Sequence, residues 1–198
     1  MEISQFVPVN VKIEESTIDE ERVLRVRKPL ENLVADTDTY ARVKNVEFHN
    51  GSIEVDMYSK LQEGAPDYSR GFIGIVFRIN AENNEFESFY VRPTNGRHPD
   101  PIRRSHGSQY FSYPGYTFDY FRKHGITKYE APVDIDLYEW IHLKAEIQNE
   151  HAAFYVNGQL ILEVEDLKHG SEAKGGVGLY TDIGTDGYFK NLHIQSID

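Results

Sequence analysis

The chain has 198 residues, no cysteine, 13 Tyr, 11 Phe and one Trp, and a formal net charge of −11. The lack of cysteine excludes disulfides, thiolate metal sites, iron–sulfur clusters and a Cys nucleophile. The acidic balance argues against nucleic acid or an anionic membrane as partner, since both demand Lys and Arg to displace counterions. Met1 to Gln5 has neither the basic nor the apolar region of a signal peptide. No apolar run reaches the roughly 20 residues of a membrane span. The expected location is therefore cytoplasmic, or periplasmic or secreted if a leader has been removed. This length suits a single domain, 1–198.

The predicted elements are strands almost throughout. In the N-terminal third, Val7 to Ile13, Arg22 to Arg27 and Tyr40 to Phe48 read as strands, and Leu30 to Val34 as one helical turn. Gly51 to Tyr58 alternates Ile53, Val55 and Met57 against Glu54, Asp56 and Tyr58. Gly71 to Ile79 sets Ile73, Ile75, Phe77 and Ile79 against Gly74, Val76 and Arg78. A polar turn, Asn80 to Glu85, links it to Phe86 to Arg92, where Phe89 and Val91 oppose Ser88, Tyr90 and Arg92. Pro93 ends that strand because it cannot donate to a ladder. Trp140 to Ile147 alternates again, with Trp140 and His142 opposite Ile141 and Leu143. Asn157-Gly158 marks a tight hairpin between Phe154 to Val156 and Leu160 to Val164. Val164 to Lys168 reads as a second helical turn, and Gly175 to Tyr180 and Tyr188 to Ile194 as the last strands. About ten to twelve strands without a long amphipathic helix or a repeat indicate an all-β fold, a two-sheet antiparallel β-sandwich or jelly roll.

One segment departs from the alternation. Asn95 to Tyr129 reads as a long loop, of a kind usually functional or disordered. Disorder is excluded by its eight aromatics, among them Tyr110, Tyr113, Phe118 and Phe121. It carries six Arg and Lys, including Arg122, against Asp100 and Asp119 alone, so it is basic within an acidic chain. Two readings stand: a packed loop closing one end of the sandwich, or a lid whose aromatics stack on sugar rings while Arg, Asn and His donate to hydroxyls.

The candidate catalytic carboxylates are Glu54, Asp56 and Glu130. Glu54 and Asp56, two apart on a strand, have Cα atoms about 6.5 Å apart on one face. That spacing suits acid–base work on a glycosidic bond, but also a solvated face. Arg78, Tyr90 and Arg92 share a face of the hairpin, where the guanidinium forks could hold sugar oxygens or simply neutralise Glu54, Asp56 and Glu130. Asn95 lies at the mouth of the loop. Tyr110, Tyr113, Arg122, Trp140 and His142 complete the candidate substrate-binding set, with Trp140 either a stacking platform or packing. The histidines lack metal-ligand spacing, and no cofactor is expected. The turn Asp182 to Gly187 could hold a structural calcium near Asp182 and Asp186, although a glycine-rich turn explains it without metal.

The stretches FHNGSIEVDM (Phe48 to Met57), GFIGIVFRI (Gly71 to Ile79), FESFYVRPTNGR (Phe86 to Arg97), YEAPVD (Tyr129 to Asp134), EWIHLKAEI (Glu139 to Ile147) and FYVNG (Phe154 to Gly158) occur in order. Together they resemble the concanavalin A-like lectin/glucanase superfamily and, more narrowly, the 3-keto-disaccharide hydrolase domain family. The resemblance covers roughly Tyr40 to Ile197. It implies a jelly-roll sandwich with a concave sheet and a carbohydrate or modified-sugar ligand. The E-x-D-x-x-E pattern of the laminarinase branch is broken here, because Ser59 follows Glu54-Val55-Asp56 where the second Glu would stand. Three functions follow as expectations. One is a glycoside or 3-keto-glycoside hydrolase, in which a keto-sugar could also eliminate while Arg stabilises the enolate. The second is a non-catalytic, lectin-like carbohydrate-binding module. The third is an interaction sandwich.

Overall fold

The computed structural model describes residues 1–197. In chain order the strands are β1 (Phe6–Val9), β2 (Lys12–Ile18), β3 (Glu21–Arg27), β4 (Tyr40–Val43), β5 (Gly51–Leu61), β6 (Ile73–Ile79) and β7 (Phe86–Val91). They continue as β8 (Ser108–Tyr113), β9 (Glu130–Ala131), β10 (Trp140–Gln148), β11 (His151–Val156), β12 (Gln159–Val164), β13 (Gly176–Thr181) and β14 (Thr185–Ser196). Two short helices, α1 (Pro101–Ser105) and α2 (Phe118–Lys123), flank β8. The first sheet has the order β1-β4-β13-β6-β7-β8-β9 and the second β12-β11-β10-β5-β14-β3-β2. Every pairing is antiparallel, so the fold is the two-sheet all-β sandwich read from the alternation.

Side-chain alternation decides which residues meet between the sheets. Along β5 every second residue from Gly51 to Ser59 is buried, and along β10 Ile141, Leu143, Ala145 and Ile147 are. They face Ile73, Ile75, Phe77 and Phe89 of the first sheet. Across the gap, Phe89 stacks on Phe154 of β11, with centroids 4.3 Å apart and planes 5° from parallel. Phe77 contacts the same ring at 6.3 Å.

The first sheet is buried on its outer face as well, since β6 and β7 have no exposed residue. Tyr40, Phe86, Tyr90, Phe111 and Tyr180 form an aromatic layer there, with neighbouring centroids 5.2–5.8 Å apart. Gly74 is paired with both Tyr90 and Tyr180. A Cβ at this position would come within 2.1 Å of the Phe89 carbonyl oxygen, which limits it to glycine.

Several elements differ from the sequence reading. Val7 to Ile13 is divided between β1 and β2, in different sheets, because Asn10 turns the chain at φ 51°. Leu30 to Val34 is not helical: the Val34 carbonyl binds the Lys28 ammonium instead of a backbone N–H. Val164 to Lys168 is not helical either, and the Leu167 N–H bonds the Glu150 carbonyl. Strand pairing in β4 stops at Val43, and Phe48 keeps only a bridge to Gly175. Asn95 to Tyr129 contains α1, α2 and the fully integrated strand β8, so its aromatics are partly sheet residues.

Phe154→Ala is expected to lower the unfolding free energy by about 3–5 kcal/mol. The measurement is the urea midpoint at unchanged m-value. A loss below about 1 kcal/mol would show that the inter-sheet stack is dispensable.

Candidate active site

A cleft of about 500 Å³ opens on the outer face of the first sheet. Its lining includes Phe72, Tyr90, Arg92, Asp36, His106 and Phe118. Alternation along β7 turns Phe89 into the core and Tyr90 out to the cleft. Arg92 follows at the start of a 3-10 turn, Pro93–Asn95, and its N–H bonds the Gly107 carbonyl. Its guanidinium donates to the His106 carbonyl at 3.0 Å, the Tyr90 hydroxyl at 2.9 Å and Gln109 Oε1 at 3.3 Å. It also lies 3.6 Å from Glu130 Oε1 and 5.1 Å from the centre of the Tyr90 ring. Burial opposes the charge of Arg92, but Tyr90, Glu130 and Asp36 outweigh it, so the guanidinium holds its proton more tightly than usual.

The opposing wall comes from residues 29–39. Lys28 and Asp182 form a buried ion pair at 2.7 Å, both with side chains at most 2% exposed. Asp182 also accepts from the Tyr180 hydroxyl at 2.8 Å and from the N–H groups of Ile183 and Asp36 at 2.8 and 2.9 Å. The last of these fixes the backbone of Asp36. One carboxyl oxygen of Asp36 accepts the Phe118 N–H at 2.7 Å, so an external carboxylate serves the N-terminus of α2. The other, Oδ1, is buried with no hydrogen-bond partner among the described residues. Burial, and then the neighbouring charge of Asp182, push the Asp36 pKa up from 3.8 to about 7, against the Phe118 N–H, Arg92 and Tyr90. A carboxyl with that pKa can give or take a proton near neutrality.

An imidazole also lines the cleft. His106 Nδ1 contacts Glu130 Oε2, which fixes the ring. Its Nε2 has no partner among the described residues and is available to a ligand. Arg122 of α2 donates to Glu130 Oε1 at 3.2 Å and lies 5.0 Å from the Phe118 ring. Asn95 donates to the His106 carbonyl at 3.0 Å and accepts from Arg103 at 2.7 Å, tying the 3-10 turn to α1.

Thus Tyr90, Arg92, Asn95, Arg122 and Glu130 are brought together. The candidate set that the sequence reading drew from these residues together with Glu54 and Asp56 is divided. Glu54, Asp56, Trp140 and His142 lie on the outer face of the second sheet, across the sandwich, because period two sends them away from the core there. His142 Nδ1 is 2.7 Å from Asp56 Oδ1, Nε2 is 3.4 Å from Glu54 Oε2, and Asn191 donates to Asp56 at 2.8 Å. Trp140 is covered by the Lys190 ammonium, 4.1 Å from its ring centre. Arg78 leaves the face it shares with Tyr90 in the sequence reading, because its backbone turns at φ 55° beside a register shift. Its guanidinium binds the carbonyls of His49, Asn149 and Gly170. Tyr110 is buried against Glu87 and Tyr129, and Tyr113 stacks on Phe86 at 5.1 Å. Asp182 and Asp186 are engaged by protein cations, Lys28 and Arg25. The sequence reading missed Asp36, His106, Arg70 and Arg103. Only the basic character of Asn95 to Tyr129 pointed at two of these.

The sequence profile of the 3-keto-alpha-glucoside-1,2-lyase-like domain matches residues 10–195. Among solved structures, the chain is similar to the carbohydrate-binding module CBM66 from Bacillus subtilis, at 15% identity and a TM-score of 0.62, covering 96% of this chain and 97% of that one. It is similar to a Bacillus subtilis protein of unknown function with a galectin-like fold, at 13% identity and a TM-score of 0.60, over 98% and 90% of the two chains. A candidate glycosyl hydrolase from Parabacteroides distasonis gives 13%, 0.53, and 98% and 89%. At these identities the likeness is one of fold, and it agrees with the two-sheet β-sandwich. No curated protein matches the chain significantly.

Two outcomes are expected for the cleft wall. Lys28→Met leaves Asp182 buried without its counter-charge and should cost about 3–5 kcal/mol in chemical denaturation. A cost under about 1 kcal/mol would contradict this. Asp36, raised to about 7, takes up a proton on folding between its ordinary 3.8 and 7. Its stabilising contribution is therefore full below about pH 4 and is lost as pH rises toward 7. Asp36→Asn should flatten that slope and melt higher than the parent above pH 7. Parallel melting curves would rule out a titrating Asp36.

Proposed function

Because the chain belongs to the 3-keto-alpha-glucoside-1,2-lyase-like domain family, we propose that its cleft eliminates the aglycone of a 3-keto-α-glucoside across C1 and C2. Asp36 carries this reading: a buried carboxyl at about 7, with one unpartnered oxygen, beside the Arg92 charge.

The chemistry needs a base, a positive charge and an acid. A ketone at C3 acidifies the hydrogen on C2. Ionised Asp36 takes that proton, and the C–H electron pair moves into an enolate whose charge rests on the C3 oxygen. The fixed charge of Arg92 stabilises it without reorganising, since the guanidinium is already held on four sides. The enolate then reforms the ketone, C1=C2 forms, and the C1–O bond breaks. Protonated His106, oriented and charge-balanced by Glu130, gives its proton to the departing oxygen. The products are the free aglycone and a 2-hydroxy-3-keto glycal. Solvent returns one proton to His106 and removes one from Asp36. Tyr90, Phe72 and Phe118 offer the apolar and aromatic surface against which a sugar ring packs.

The test uses 4-nitrophenyl 3-keto-α-glucoside, following nitrophenol by absorbance and the enone by chromatography. Asp36→Asn and His106→Gln are each expected to lower kcat by about 10²–10⁴-fold. The rising limb of kcat/KM against pH should have its midpoint near 7, from Asp36. Substrate deuterated at C2 should react more slowly. Full activity in Asp36→Asn would remove the assignment. Saturable sugar binding without enone would make the cleft a binding site with no chemistry.

A further inference from the structure

Two arginines in the cleft take no part in the elimination. Arg103 of α1 donates from Nε to Asn95 Oδ1 at 2.7 Å and from Nη2 to Thr94 Oγ1 at 3.0 Å. Arg70 donates from Nη1 to the carbonyls of Asp67 and Ser69 at 2.9 and 3.0 Å. All four acceptors are neutral, and among the described residues neither guanidinium forms an ion pair. This is unexpected in a chain with 32 Asp and Glu against 21 Lys and Arg. Arg25, Arg27, Arg92, Arg97 and Arg122 all lie beside carboxylates. Burial, then Arg103 and Arg92, weaken the hold of Arg70 on its proton, so these charges feel one another uncompensated. Of the acids in the lining, Asp100 uses Oδ1 to accept the Ile102 N–H and cap α1. Asp182 is matched by Lys28.

The same end of the cleft is apolar at its rim. Leu33, Tyr68 and Ile102 line it and are 54%, 49% and 72% exposed. Exposed apolar side chains around a concave opening mark a contact surface for a ligand.

We propose that the aglycone carried into this cleft is an apolar, aromatic group bearing a carboxylate, with the carboxylate received by Arg70 and Arg103 and the ring lying against Tyr68, Leu33 and Ile102. This rests on the elimination reading for the sugar end, but the subsite itself is built from separate residues. Free N–H groups remain for it: Nε and Nη2 of Arg70 and Nη1 of Arg103 have no partner among the described residues. A guanidinium meets a carboxylate with two parallel donors, and Arg103 is already immobilised by Asn95 and Thr94.

The test compares 4-carboxyphenyl and 4-carbamoylphenyl 3-keto-α-glucosides, which match in size and differ in charge. The parent protein is expected to prefer the carboxylate in kcat/KM by about tenfold or more, carried mainly in KM. In Arg70→Gln and in Arg103→Gln that ratio should fall toward one. Arg70→Gln is the cleaner variant, since Arg70 bonds only adjacent backbone carbonyls. A parent ratio within about twofold of one, or a ratio that persists in both variants, overturns the subsite. If neither compound turns over, the elimination reading fails by itself. The subsite is then tested by calorimetry with the unoxidised 4-carboxyphenyl and 4-carbamoylphenyl α-glucosides: equal affinities overturn it, and a preference lost in Arg70→Gln supports it.

Discussion

The buried pair of Lys28 and Asp182 is the constraint from which the cleft is built. Two charges out of water stabilise a fold only when their remaining valences are met. Here Asp182 accepts from Lys28, Tyr180 and two backbone N–H groups, while Lys28 also binds the Val34 carbonyl. Those bonds spend the polar groups of residues 28–36 on one point of the first sheet. The segment therefore lies over the sheet as an ordered wall instead of forming a helix. The backbone of Asp36 is a member of this network, so the position of its carboxyl is set by Asp182. The charge that anchors the wall also makes Asp36 harder to ionise. Asp182 thus sets the position of the proposed base and adds to burial, the larger effect, in raising its pKa.

The sandwich gives its two outer faces different chemistry. That of the second sheet is polar and open, with His142 set against Asp56 and Glu54 and Lys190 over Trp140. That of the first sheet is an aromatic layer sealed by loops except at the cleft. There the arginines outnumber their acidic partners, in a protein that is acidic overall. A local excess of positive charge inside low-dielectric walls acts far more strongly on a ligand than the same charge in solvent.

Much of the fold was legible because period two is imposed by burial. The inward sets on β5, β6 and β10 are those the alternation picks out, and Asn157-Gly158 makes its hairpin with φ of 50° and 80°. Alternation states that Glu54 and Tyr90 each avoid the core, but says nothing of which sheet each belongs to. That depends on long-range pairing, and it separated the candidate residues into two groups on opposite faces of the sandwich. Arg78 shared the period of Tyr90 and was diverted by one positive φ, which a non-glycine residue rarely adopts. Asp36 could not be found this way, since it is one of two Asp alternating with two Thr in an irregular stretch and meets Asp182 across 146 positions of chain. Asn95 and Arg122 were within reach because the basic, aromatic composition of 95–129 is local.

The pairing of β14 has a consequence for how the chain acquires its shape. β14 lies between β5 and β3 in the second sheet, so its residues close ladders to segments more than 120 positions earlier. No N-terminal fragment can complete that sheet, and β5 and β3 keep bare edges until the last strand arrives. Loop-closure entropy is spent before those contacts are gained, which places such topologies in the millisecond-to-second range of folding times. During that interval the exposed edges are templates for pairing with other chains. The twelve residues of β14 are therefore the ones on which soluble synthesis turns.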